Sequence, residues 1–140
     1  AAMVVMSEAT AHRHQLTPMV RVLSTAVVGV SPALMGMGPV HATHKVLHRS
    51  GVRLQDIGII ELNEAFAAQA IACIEELKLD YDKVNVCGGS LAIGHPLGAT
   101  GVRISTTLIH AMRARQIRLG LATMCIGLGQ GIAVIFELIE

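Results

Sequence analysis

Aromatic residues are nearly absent from this 140-residue chain, which has no tryptophan, one tyrosine and two phenylalanines. Without stacking platforms a single-stranded nucleic-acid groove has nothing to grip with. A formal net charge of +1 also removes the electrostatic footprint that duplex binding needs, so no nucleic-acid partner is expected. Charge is scarce at 15%, but hydrophobic residues reach 52%, which excludes a disordered chain. The three cysteines, Cys73, Cys87 and Cys125, form no CxxC pair. A disulfide framework and a zinc knuckle are thereby excluded, and a reducing, cytoplasmic setting is expected. No basic stretch precedes the apolar run at the start, so a signal peptide is not expected. Gly120 to Ile139 is long and almost uncharged. Gly127, Gly129, Gln130 and Gly131 break it in the middle, and two strands joined by a glycine turn fit it better than a membrane span.

What remains alternates between strand and helix patterns. Ala2 to Met6 reads as a strand, and Ser7 as the cap of a helix with Glu8 in its first turn. Arg21 to Val28 has the composition of a buried strand. Pro39 opens a helix that Gly51 stops. On it Val40, Ala42, Thr43, Val46 and Leu47 share one side, while His41, His44, Lys45, His48 and Arg49 share the other. Ile57 to Leu62 is a further buried strand, and Asn63 sits where the N-cap of a helix over Glu64 to Lys78 belongs. A helix face follows at Val102, Ser105, Leu108, Ile109 and Met112. Leu119 to Met124 and Ile132 to Phe136 read as closing strands. The expected fold is α/β: a mixed five-stranded sheet with helices on both faces, in the order β-α-β-α-β-α-α-β-β, forming one domain over residues 1–140. A chain that opens in mid-strand is expected to be a piece of something longer.

Four stretches invite a chemical reading. The segment GGSLAIGHPLGATG, Gly88 to Gly101, surrounds one histidine with bare backbone. It has no lysine for a phosphate loop and no GxGxxG. His95 is either a packed histidine at a tight corner or an imidazole aimed at one point, with Pro96 biasing it away from helix. Cys125, in ATMCIGLGQG, is either a small buried hydrophobe or a thiol working with a distant base. Asn63, in LNEAFAAQ, is either a helix cap or a polar group at the C-terminal edge of a strand, where α/β sites collect. His41, His44 and His48 are spaced for a metal face. However, Lys45 and Arg49 lie on the same arc without a carboxylate, so a solvated basic face is the better reading and no metal is expected.

The segments VVGVSPALMGMGPV, ELNEAFAAQ, GGSLAIGHPLGATG and GLATMCIGLGQG together resemble the C-terminal half of thiolases, the acetyl-CoA acyltransferases. The wording near Met35 and in TMCIGLGQG is most similar to bacterial 3-ketoacyl-CoA thiolases of fatty-acid β-oxidation. The resemblance implies roles. His95 activates the acyl-accepting nucleophile and helps hold the thioester oxygen. Cys125 is the acid/base that moves a proton on the acetyl-CoA carbon or the CoA sulfur. Asn63 orients a water that completes an oxyanion hole with His95, and the Gly127 N–H helps build a second hole. Met35, Ala65 and Phe66 match positions lining the acyl and pantetheine channel. Coenzyme A enters as a substrate, with no resident cofactor. The implied partners are acyl-CoA or CoA, an N-terminal thiolase half carrying the nucleophilic cysteine, further copies in an oligomer, and a hydratase/dehydrogenase subunit of a β-oxidation complex. None of the three cysteines here replaces the family's nucleophile, and Cys87 stands where many members carry asparagine. The chain is thus expected to hold half an active site for cleaving 3-ketoacyl-CoA to acetyl-CoA and a shortened acyl-CoA, and to be inactive alone. The rival reading is a non-catalytic remnant that binds acyl-CoA or assembles with a partner. A mean hydropathy of +0.57 adds the expectation of exposed apolar surface.

Overall fold

The computed structural model describes residues 1–139. Four strands form one mixed sheet: β1 (Val20–Gly29), β2 (Ile59–Leu62), β3 (Leu119–Ile126) and β4 (Gln130–Leu138), in the spatial order β1-β4-β3-β2. β4 runs antiparallel to both of its neighbours, whereas β2 and β3 are parallel, with Leu62 opposite Thr123. The described residues also form α-helices α1 (Glu8–Arg13), α2 (Gly38–Ser50), α3 (Ala67–Leu77), α4 (Ser90–Ile93) and α5 (Leu97–Arg115). The sheet is therefore four-stranded, not five-stranded as the sequence suggested. The segment expected to supply the extra strand, Ala2 to Met6, finds no ladder partner among the described residues. Val4 and Val5 stay 83% and 76% exposed, and apolar composition cannot make a strand without a neighbour to take its hydrogen bonds. Among the described residues, a single parallel bridge between Ile60 and Val84 extends the sheet beyond β2.

Alternation along β2 sorts the core into two layers. Ile60 and Leu62 face α2 and α3, in a cluster with Val40, Val46, Ala70, Cys73, Ile74 and Leu121. Ile59 faces α5, in a cluster with Ile104, Leu108, Met112, Ala122 and Phe136. On α2 the apolar side expected from the sequence is the packed one, while His41, His44, Lys45, His48 and Arg49 are all exposed. Gly51 ends α2 at φ +71, a left-handed conformation that glycine adopts without a Cβ clash. The side chain of Ser7 accepts the Thr10 N–H at the start of α1, as a capping serine should.

Two helices begin elsewhere than the periodicity implies. α3 starts at Ala67 with Phe66 in the N-cap position, leaving Asn63, Glu64 and Ala65 as an ordered, non-helical link. Tertiary hydrogen bonds to Asn63 and Glu64 replace those a first helical turn would have made. α5 starts at Leu97, directly after Pro96, and takes Gly98 and Gly101 into its first turns. The glycine-rich stretch is thus partly the front of a helix.

Candidate active site

The C-terminal edge of the parallel pair β2–β3 is where the polar residues gather. The Asn63 N–H donates to the Thr123 carbonyl at 3.0 Å and ties the end of β2 to β3. By the strand's period of two, Asn63 lies on the same side as Ile59 and Glu61, toward α5. The side chain of Asn63 is 1% exposed. Its Oδ1 accepts from Ser90 Oγ at 2.6 Å, and its Nδ2 lies 3.4 Å from His95 Nε2. Arg103 Nη2, from the second turn of α5, donates to Ser90 Oγ at 2.7 Å. On the far side of the imidazole, His95 Nδ1 lies 2.7 Å from Thr100 Oγ1, which itself donates to the Pro96 carbonyl at 3.1 Å.

The destination of the Thr100 hydroxyl proton sets the histidine's tautomer. When it goes to the Pro96 carbonyl, the hydroxyl oxygen accepts from Nδ1–H. Nε2 then carries the lone pair, and the Asn63 amide N–H points at it. The ring is half-buried, and the flanking backbone is open: a Cβ built at Gly94 or Gly98 would meet no atom within 4 Å. Gly94 has φ +86 and ψ 170, a region essentially reserved for glycine, so here glycine serves conformation and aims the loop.

Behind Asn63 the loop is braced by two side chains. Asn85 behaves as a surrogate strand residue: its amide accepts the Leu62 N–H at 2.9 Å and donates to the Leu62 carbonyl at 2.8 Å. Glu64 accepts from Asn85 Nδ2 at 3.0 Å and from the Leu91 N–H at 2.9 Å, fixing the entry to α4. Gly89 is needed beneath it, because a Cβ there would collide with the Glu64 carboxylate. Glu61, one step back on β2, is 1% exposed and lacks a partner for Oε1. Burial pushes its pKa up to about 7; the charge of Arg103 opposes that rise and Glu64 adds to it.

Cys125 lies two residues past Thr123 at the same edge of the sheet. By alternation it belongs with Leu121 and Thr123, on the α2–α3 side, and no hydrogen bond joins it to His95 or Asn63 among the described residues. It is buried, and burial holds its thiol pKa above the usual cysteine range, with a backbone N–H pulling the other way. It therefore rests as a neutral S–H. Cys73 lies near it on that side, donating to the Gly36 carbonyl at 3.2 Å, with its own pKa raised mainly by burial. Gly127 is exposed at the turn between β3 and β4, and its N–H has no acceptor among the described residues. Met35 is half-buried on a short turn, Pro32–Met37, that packs against α3. Ala65 is half-buried and Phe66 is 64% exposed at the mouth of α3.

The structure thus joins Asn63 to His95, and sets Cys125 and Gly127 on the same rim without direct contact. Ser90, Thr100 and Arg103 were not singled out by motif reading. A signal for Arg103 was present nevertheless: it is the lone charge between Leu97 and Leu108, an otherwise uncharged helical stretch.

Comparison with known proteins follows the same outline. Residues 16–138 match the family described as "Thiolase, C-terminal domain". A 3-ketoacyl-CoA thiolase of Yersinia enterocolitica is 58% identical over 139 residues, which is 97% of this chain and 36% of that protein. A 3-ketoacyl-CoA thiolase of Vibrio cholerae is 56% identical over 139 residues, with the same shares of both chains. Among solved structures, human mitochondrial 3-ketoacyl-CoA thiolase aligns with a TM-score of 0.94 at 44% identity, covering 95% of this chain and 34% of that one. The same human enzyme in complex with CoA aligns equally well. The chain therefore spans about a third of the length of these relatives.

Proposed function

Since the chain belongs to the thiolase family through its C-terminal domain, we propose that it supplies one side of the active site of a 3-ketoacyl-CoA thiolase. The observation that carries this reading is the Asn63–His95 pair at the edge of β2 and β3. In this reading Nε2 takes the proton of a nucleophilic thiol supplied from outside this chain. That thiolate attacks the 3-keto carbonyl, and the bond between C2 and C3 of the substrate breaks. Acetyl-CoA leaves as an enolate and is protonated at carbon by the neutral thiol of Cys125. Cys125 then recovers its proton from the sulfur of incoming CoA; that sulfur bonds to the acyl carbon, the nucleophile leaves as a thiolate, and it takes its proton back from His95 Nε2.

Negative charge develops on thioester oxygens in these steps. The protonated Nε2 and a water on Asn63 form one donor pair, and the unengaged Gly127 N–H contributes to another. A preorganised donor of this kind contributes roughly 3–4 kcal/mol to transition-state stabilisation. The open space beside Gly94 and Gly98 admits a thin pantetheine arm, and Met35, Ala65 and Phe66 border the acyl path. The substrates are acyl-CoA and CoA, and coenzyme A is consumed rather than held as a cofactor. Completion of the site by an N-terminal thiolase half, assembly into an oligomer and association with a hydratase/dehydrogenase subunit belong to the same reading. No described helix is long and apolar enough to cross a membrane.

A chimera tests this. The chain replaces the C-terminal third of an active 3-ketoacyl-CoA thiolase, and CoA-dependent cleavage of 3-ketoacyl-CoA is measured. Activity is expected, and His95→Ala should abolish it. A folded chimera without activity, or one indifferent to His95→Ala, overturns the assignment.

A further inference from the structure

We propose that Arg103 is a positioning residue that sets the tautomer of His95 through Ser90 and Asn63. The role of His95 rests on the thiolase reading, but the hydrogen-bond geometry does not. The chain of contacts runs Arg103 Nη2 to Ser90 Oγ (2.7 Å), Ser90 Oγ to Asn63 Oδ1 (2.6 Å), and Asn63 Nδ2 to His95 Nε2 (3.4 Å). It continues from His95 Nδ1 to Thr100 Oγ1 (2.7 Å) and from Thr100 to the Pro96 carbonyl (3.1 Å). Every interior member can donate or accept. The two ends cannot: a guanidinium only donates, and a carbonyl only accepts.

Arg103 cannot accept, so Ser90 accepts from it, and with one lone pair of the hydroxyl so occupied its proton goes to Asn63 Oδ1, the acceptor at 2.6 Å. That fixes which end of the Asn63 amide is oxygen, and its NH2 turns toward the imidazole. Nε2 faces a donor and stays unprotonated, and the proton resides on Nδ1. Without the arginine the serine hydroxyl can turn away and the amide can flip. An amide oxygen facing the ring would then draw the proton to Nε2, and Thr100 would donate to Nδ1 in place of the Pro96 carbonyl. That tautomer cannot take a proton at Nε2.

The placement of Arg103 suits the task. It sits in the second turn of a 19-residue helix with its Nε buried and unpartnered, and the buried carboxylate of Glu61 lies on the facing strand. A cation whose remaining donors find so little on the protein side is held by its charge environment and by the one hydrogen bond to Ser90.

The test reads the ring directly. The 15N-labelled chain is examined by long-range 1H–15N correlation above the histidine titration range, with His95 identified by the signals lost in His95→Gln. Wild-type chain should show a protonated Nδ1 and a bare Nε2. Arg103→Met and Ser90→Ala should each move a substantial share of the population to the Nε2–H form, and Arg103→Lys, another donor-only group, should restore the wild-type pattern. In the chimera the Met and Ala variants should lower kcat roughly 10-fold and change KM less than about 3-fold, the mark of a base in the wrong state. A wild-type Nε2–H form, or a folded Arg103→Met and Ser90→Ala pair that both keep Nδ1–H, overturns the proposal. If Arg103→Met unfolds, as its amide spectrum would reveal, Ser90→Ala alone decides. An inactive chimera with an intact tautomer switch counts against the thiolase reading and leaves the positioning role standing.

Discussion

At the scale of single residues, two buried acids differ in what their environment does for them. The Cys125 thiol is held protonated by burial, which suits a group that must first give a proton and then take one. In the chimera Cys125→Ser should lower kcat by roughly 100-fold while KM moves only a few-fold, because proton transfer is made in the transition state. Steady-state kinetics check this, and equal losses in both constants would instead indicate damaged binding. Glu61 has a folded-state pKa of about 7, raised from 4.5 by burial. Between those values the folded chain holds a proton that the unfolded chain has released, so stability falls as pH rises through this window. The full loss is on the order of 3 kcal/mol by linkage. Glu61→Gln should therefore be more stable than wild type at pH 8 and converge with it near pH 4, as read by denaturant melts across pH. His95 and Asn63 were legible in the sequence because each sits in a short motif with unusual neighbours. Glu61 and Ser90 were not, and Arg103 showed only as a lone charge in an uncharged helix, because their meaning depends on contacts between β2, α4 and α5 that no local pattern encodes.

At the scale of elements, the loops are held by conformation in one place and left open in another. Gly94 occupies a backbone region closed to other residues, so Gly94→Ala should cost about 1–3 kcal/mol or displace the His95 ring. Gly98 is helical with nothing near its missing Cβ, and Gly98→Ala should stabilise the chain by about 0.5–1 kcal/mol. Melting curves separate the two. If the space beside Gly98 holds the pantetheine arm, the same Gly98→Ala change raises KM in the chimera. The helices were readable where period and packing agree, as along α2, whose apolar face is the buried one. Two of them, α3 and α5, start elsewhere than expected. Asn63 has the composition of a helix cap, yet its amide is claimed by Ser90 and His95, and Glu64 is claimed by Asn85 and Leu91. Side-chain partners from distant segments outcompeted the local capping preference.

At the scale of the whole molecule, apolar side chains surround the candidate site without cover. Phe66, Leu91, Ile93 and Leu97 are each more than 60% exposed. Side chains so placed beside a functional rim mark a surface made to be covered. The purified chain should self-associate in sedimentation experiments as its concentration rises, and it should show no cleavage of 3-ketoacyl-CoA, for want of a nucleophile. A clean monomer, or turnover near that of an intact thiolase, would contradict this. The sheet was legible in outline. Its first expected strand was not real, because five apolar residues look the same whether or not a neighbour waits for them. The strand order carries one more consequence, in the time domain. β4 is the last of the four strands to leave the ribosome, yet it lies inside the sheet between β1 and β3, with Val20 opposite Leu138. β1 is the first of the four strands and has no ladder partner among the described residues until β4 arrives. The β3–β4 hairpin is local and can form on β2 as soon as β4 is made, so the long-range step is the closing of β1 onto the free edge of β4; until then β1 presents an open edge to other chains.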